Sequence, residues 1–123
     1  MRARQWVVYA TLAASVLLLV STLAFARSQE AGQVREFTVI GNHYGFSPAA
    51  ITVNQNDLVK VTFTAQDIAH SFTIDGYRIS KRAGQGQTVT FEFRADKTGP
   101  FPFYCNLSFD ERCKDMKGTL TVK

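Results

Sequence analysis

The sequence predicts an all-β domain, a Greek-key β-sandwich, preceded by one N-terminal hydrophobic helix. Three observations lead there. Between residues 34 and 123, apolar and polar residues alternate in short runs, and no helical period runs through them. Clusters of Gly, Pro, Asn and Asp interrupt those runs every dozen residues or fewer, which is the rhythm of a sandwich. Ahead of them, residues 5–26 carry no charge.

That uncharged segment follows Arg2 and Arg4 and is closed by Arg27. It is long enough to span a bilayer, which takes about 20 apolar residues. A basic start, an apolar middle and a small-x-small end at Ala24-Phe25-Ala26 equally describe a signal peptide. Residues 1–26 are therefore expected to be a signal peptide or a membrane anchor. The two arginines ahead of the segment favour a cytoplasmic N-terminus with the domain outside, in the periplasm or on the extracytoplasmic face. Residues 27–33 (RSQEAGQ) are small and polar and read as a linker to a domain over 34–123.

The strands follow in order. Residues 36–40 (EFTVI) form the first, and Gly41-Asn42 is expected to break it. Ile51-Thr52-Val53 is a second short strand, followed by a turn over 54–57 (NQND). Residues 58–64 alternate, with Val59, Val61 and Phe63 on one face. Residues 70–74 form a strand that Asp75-Gly76 ends, and 84–87 (GQGQ) is a further turn. Val89, Phe91 and Phe93 alternate in the next strand, and 97–100 (KTGP) leads into a strand over 101–105. Residues 118–122 are the last, for seven or eight strands in all.

Composition narrows the function. Of the formal charge of +4, Arg2 and Arg4 supply two, so the rest of the chain carries only +2. That is too little for a nucleic-acid face, although mild basicity suits an acidic partner surface. No paired carboxylates and no nucleophile with its base stand out, so an enzyme is not expected. What does stand out is a set of soft ligand types. His70 begins a strand, and Cys105, Cys113 and Met116 share the loop before the last strand. Strand ends meet at one pole of a sandwich, so an upstream histidine can join a downstream loop. Thiolate binds copper strongly, imidazole suits both of its oxidation states, and thioether favours Cu(I). Two cysteines in an oxidising compartment can equally form a disulfide, and both readings stay open.

Four motifs carry a resemblance: Tyr44-Gly45-Phe46-Ser47-Pro48, Asp67-Ile68-Ala69-His70-Ser71-Phe72, Phe103-Tyr104-Cys105-Asn106 and Met116-Lys117-Gly118-Thr119. In this order they resemble the cupredoxin domain of cytochrome c oxidase subunit II. The resemblance implies a copper site. In that family two cysteines, two histidines, a methionine and a backbone carbonyl hold the dinuclear CuA centre, with the spacing Cys-x3-Cys-x3-His-x2-Met. Laid on this chain, the first cysteine falls on Cys105, the methionine on Met116, the upstream histidine on His70 and the carbonyl on Leu107. Phe109 stands where the second bridging cysteine belongs, and Cys113 stands where the loop histidine belongs. One bridge is lost, so a standard dinuclear CuA is not expected.

One copper ion held by His70, Cys105, Cys113 and Met116 is expected instead. His43 reads as exposed or structural, and the 110–112 run (DER) as a solvated tip or a docking point for a redox partner. Phe101, Phe103, Tyr104 and Phe109 read as core and pocket wall, with Phe109 keeping water from the metal. The leading function is an electron carrier whose redox partner is a cytochrome or oxidase, with the membrane reached through the N-terminal segment. The alternatives are a Cu(I) chaperone or store supplying a respiratory oxidase, and a metal-free Cys105–Cys113 thiol/disulfide protein.

Overall fold

The computed structural model describes residues 32–123. The hydrophobic helix expected over 1–26 and most of the 27–33 linker lie outside the described residues. Nine strands are described: β1 (Val34–Asn42), β2 (Gly45–Ser47), β3 (Ala50–Val53), β4 (Leu58–Ala65), β5 (His70–Ile74), β6 (Ile79–Ala83), β7 (Thr88–Arg94), β8 (Gly99–Tyr104) and β9 (Lys117–Val122). They form two sheets, β2-β1-β4-β7 and β3-β9-β8-β5-β6. Both sheets are mixed, because β1 pairs parallel with β4 and β3 pairs parallel with β9.

The alternation read along residues 58–64 is the packing rule of β4. Val59, Val61, Phe63 and Ala65 are buried, and the residues between them are half-exposed. They meet Phe46, Phe72, Phe91 and Phe103, with Phe72 stacked on Phe103 at 4.7 Å between centroids. Aromatic contacts of this kind add about 0.5–1.5 kcal/mol each beyond area burial.

Two local expectations are corrected. Gly41-Asn42 does not end β1, which continues to a two-residue hairpin at His43 and Tyr44. Both turn residues have positive φ, 50° and 58°, as a tight hairpin with strand-matched twist demands. The cost to two non-glycine residues is offset in part by Asp67 Oδ2, which accepts the His43 N–H at 3.0 Å. The second correction is β6, which the alternation did not reveal. Its sequence, ISKRA, puts Ser, Lys and Arg at the exposed positions of a sheet edge, where the apolar signal fades.

The strands define two poles. β1 and β4 run side by side from the Val34–Leu58 pair to the Gly41–Ala65 pair. The chain comes in at the first pole, where Gln33 O accepts the Leu58 N–H at 2.9 Å. At the other pole lie Gly41, the start of β5 at His70, and the 105–116 connection from β8 to β9.

Candidate metal centre

His70 opens β5, where its neighbours fix the ring. Nε2 lies 2.7 Å from Asp67 Oδ1. Asp67 also accepts the backbone N–H groups of His43 and Ile68, at 3.0 and 2.9 Å. Burial alone would push the Asp67 carboxyl up, but these hydrogen bonds outweigh it and hold the group well below the usual carboxylate range. An ionised carboxylate only accepts, so in the neutral imidazole Nε2 carries the proton and Nδ1 is left with its lone pair. His70 is 0% exposed, and Nδ1 is one of two buried side-chain polar atoms without a partner among the described residues. Such an atom costs about 1–3 kcal/mol if nothing satisfies it.

Cys105 follows the last residue of β8 directly, while Cys113 begins a 3-10 turn, Cys113–Asp115. The turn is closed by the Met116 N–H donating to Cys113 O at 3.1 Å. Met116 is fully buried beside them. Backbone donors already face both sulfurs: the Ser71 N–H points at Cys105 Sγ at 3.4 Å and the Leu107 N–H at Cys113 Sγ at 3.0 Å. Donors in these places stabilise negative charge on sulfur, as a thiolate ligand requires.

The two cysteines are joined in a disulfide, with Cα atoms 5.1 Å apart. The structure therefore brings Cys105 and Cys113 together, in the oxidised pairing that the sequence left as an alternative. Among the described residues, no set of three or more His, Cys, Asp and Glu side chains is arranged to hold a metal ion. With both sulfurs committed to each other, the donors still free are His70 Nδ1 and the Met116 thioether. An open groove of about 470 Å³ lies against the loop, lined by Cys105, Asn106, Leu107, Asp110, Glu111 and Lys114 among others.

The surroundings sort the remaining candidates. His43 is exposed at the hairpin. Phe103 is core, but Phe109 is not a buried pocket wall: it is 66% exposed. Three residues separate Cys105 from Phe109, and the next fully buried position of the loop is Cys113. Arg112 does not lie free at the loop tip. Its guanidinium stacks over Tyr44 at 4.1 Å, and Tyr44 meets the His70 ring edge-on at 6.0 Å. Burial and the neighbouring Asp110 carboxylate push the Tyr44 hydroxyl up.

Two positioning residues were not assigned from the sequence. Asp67 stands within one of the quoted motifs, three residues before His70, which was the available signal. Gly41 gave none as anything but a strand break. A Cβ there would lie 3.1 Å from His70 Cδ2 and from the Phe63 ring, so glycine lets β1 pass close beneath the imidazole.

Comparison with known proteins matches residues 15–122 to the cupredoxin-like domain. Cytochrome c oxidase subunit 2 of Thermus thermophilus is 26% identical over 85 residues, covering 69% of this chain and 63% of that protein. The chain thus spans less than two thirds of that relative's length. Among solved structures, the metal-binding domain of the Cu(I)-exporting P-type ATPase CopA of Streptococcus pneumoniae superposes with a TM-score of 0.64. It shares 20% identity over 78% of this chain and 91% of the other. Auracyanin A, a "blue" copper protein of Chloroflexus aurantiacus, gives a TM-score of 0.61 at 14% identity, over 73% of this chain and 99% of the other.

Proposed function

The chain belongs to the cupredoxin-like domain family, and from that premise we propose that it binds one copper ion through His70 Nδ1, the Cys105 and Cys113 thiolates and Met116. The proposed role is that of an electron carrier rather than an enzyme, at most a non-catalytic subunit of an oxidase. It works on the outer side of the cytoplasmic membrane with a cytochrome or oxidase as partner. Residues 1–26 would direct export or anchor the chain, and 27–33 would link them to the domain over 34–123. Bound copper supplies one-electron exchange between its cuprous and cupric states.

The observation that carries this reading is the unpartnered Nδ1 of a buried His70 whose other nitrogen is held by Asp67. A carboxylate–imidazole pair that fixes the tautomer and aims the free nitrogen is the usual support for a metal-bound histidine. The backbone donors at both sulfurs point the same way. Loading requires the disulfide to open: two electrons and two protons yield two thiols, which lose their protons on ligation. An external dithiol supplies both electrons and protons and becomes a disulfide itself.

The disulfide also favours a second reading, a Cu(I) chaperone or store. Two thiolates and a thioether are soft ligands suited to Cu(I). Once Cu(I) has left, an external disulfide can take two electrons from the freed thiols, closing the Cys105–Cys113 bridge and becoming a dithiol itself. The test is to reduce the chain, add copper, and record metal content with optical and EPR spectra. One copper with thiolate charge-transfer bands and reversible reduction supports the carrier. Tight Cu(I) with no lasting Cu(II) state supports delivery. Failure of the reduced chain to bind copper would leave only a thiol/disulfide protein.

A further inference from the structure

One sheet edge beside the centre, along β6, has no task in that reading. From Gly76 to Phe91 the chain has no acidic residue, yet it carries Arg78, Lys81 and Arg82. All three are exposed, and among the described residues none forms an ion pair. Lys81 and Arg82 lie on β6, an outer strand of its sheet. The Arg82 guanidinium rests 5.2 Å from the centroid of Phe109, the most exposed large apolar side chain among the described residues. An exposed aromatic ring capped by arginine, beside further basic residues, has the composition of a binding hot spot.

The patch is wired to the site. Arg82 lies opposite Ser71 in the β5–β6 register, and Ser71 donates its N–H to Cys105 Sγ. Asn106, the residue after Cys105, donates from Nδ2 to Ser80 Oγ of β6 at 3.0 Å, and its own N–H goes to Ser71 Oγ at 2.8 Å. A partner seated on Arg82 and Phe109 therefore lies one strand away from the sulfurs. Its charge can be inferred as well. Asp110 and Glu111 directly follow Phe109, so a uniformly anionic lipid surface would be repelled on that side. A protein can place carboxylates opposite the basic residues alone.

We propose that Arg78, Lys81, Arg82 and Phe109 form the docking surface for a protein partner that presents carboxylates around an apolar contact. The surface stands on its own charge and geometry. That the partner exchanges electrons with the site rests on the copper reading.

The test uses the full chain, reduced and copper-loaded, in stopped-flow electron exchange with one acidic and one basic c-type cytochrome as probes. The acidic cytochrome should react faster, and its rate should fall as salt rises. Lys81→Glu combined with Arg82→Glu should slow it about 10-fold or more at low salt and flatten the salt dependence. Phe109→Ser should weaken the complex and leave the salt dependence intact. A faster basic cytochrome, or rates indifferent to salt and to charge reversal, would overturn the proposal. So would binding of phosphatidylglycerol vesicles that the charge reversal abolishes. If the chain takes up no copper, amide NMR of the disulfide form with the same acidic cytochrome still reads the surface. Shifts over residues 78–83 and at Phe109 support the proposal, and shifts elsewhere or none sink it.

Discussion

Opening the Cys105–Cys113 disulfide should destabilise the domain, and copper should restore what is lost. The bridge joins cysteines 8 residues apart. Loop-closure entropy for a ring that size gives about 2.5 kcal/mol at 25 °C. At about 4–8 °C per kcal/mol for a domain of this length, reduction should lower the thermal midpoint by about 10–20 °C. The thiols left behind keep the Ser71 and Leu107 N–H groups as partners, so no further large penalty is expected. A metal that binds the folded state at about 100 times its Kd adds about 2.7 kcal/mol, which offsets the lost bridge. The assay is thermal unfolding by circular dichroism in a phosphine reductant, with and without buffered Cu(I). Thiols of the unfolded chain also take Cu(I), so the gain is read as the difference between the natural chain and His70→Ala. If Cu(I) raises the midpoint of both equally, His70 is not a ligand and the argument from its unpartnered Nδ1 fails.

Two further perturbations probe the supports of the fold and the site. Gly41→Ala should cost about 1–3 kcal/mol by overpacking against His70 and Phe63, and should shift the copper spectrum of whatever protein still folds; denaturant melts and absorption spectra check both. At the other pole, Asp57 accepts N–H groups from Asn54 and Gln33 and pairs with Arg35, and the backbone bond from Asn54 foremost holds its carboxyl below the usual range. A depressed carboxyl stabilises the fold above its unfolded value of about 3.9 and loses that contribution as pH falls through the folded value. Asp57→Asn should therefore lower the midpoint at pH 7, and the gap from the natural chain should close on acidification below pH ~4. A gap that stays constant with pH would show that the ionised carboxylate is not what stabilises that corner.

Much of this architecture was legible in one dimension. Alternation with a period of two places Val59, Val61 and Phe63 on a buried face wherever the strand lies, because the pleat alone decides it. Strand β7 follows the same rule and the turn at 54–57 is written in its composition, whereas β5 is buried along its whole length and shows no alternation. Strand β6 was not legible, because an edge strand facing solvent on one side needs few apolar residues. The continuation of β1 through Gly41 was hidden as well, since glycine reads as a breaker unless the ring it makes room for is known.

At the site, the sequence by itself determined the inventory and its order: His70 at a strand start, and Cys105, Cys113 and Met116 in one loop next to the last strand. It also put Phe109 where the resemblance to oxidase subunit II places a second bridging cysteine. Only the tertiary structure decided which atoms are available. Pairing of Asp67 with Nε2 leaves Nδ1 of His70 free, and the return of the loop at Cys113 brings the two sulfurs within bonding range. The same return leaves Phe109 outside, against Arg82, where the sequence suggested a wall around the metal. These outcomes depend on contacts between segments tens of residues apart, where direction and distance count and spacing along the chain carries neither.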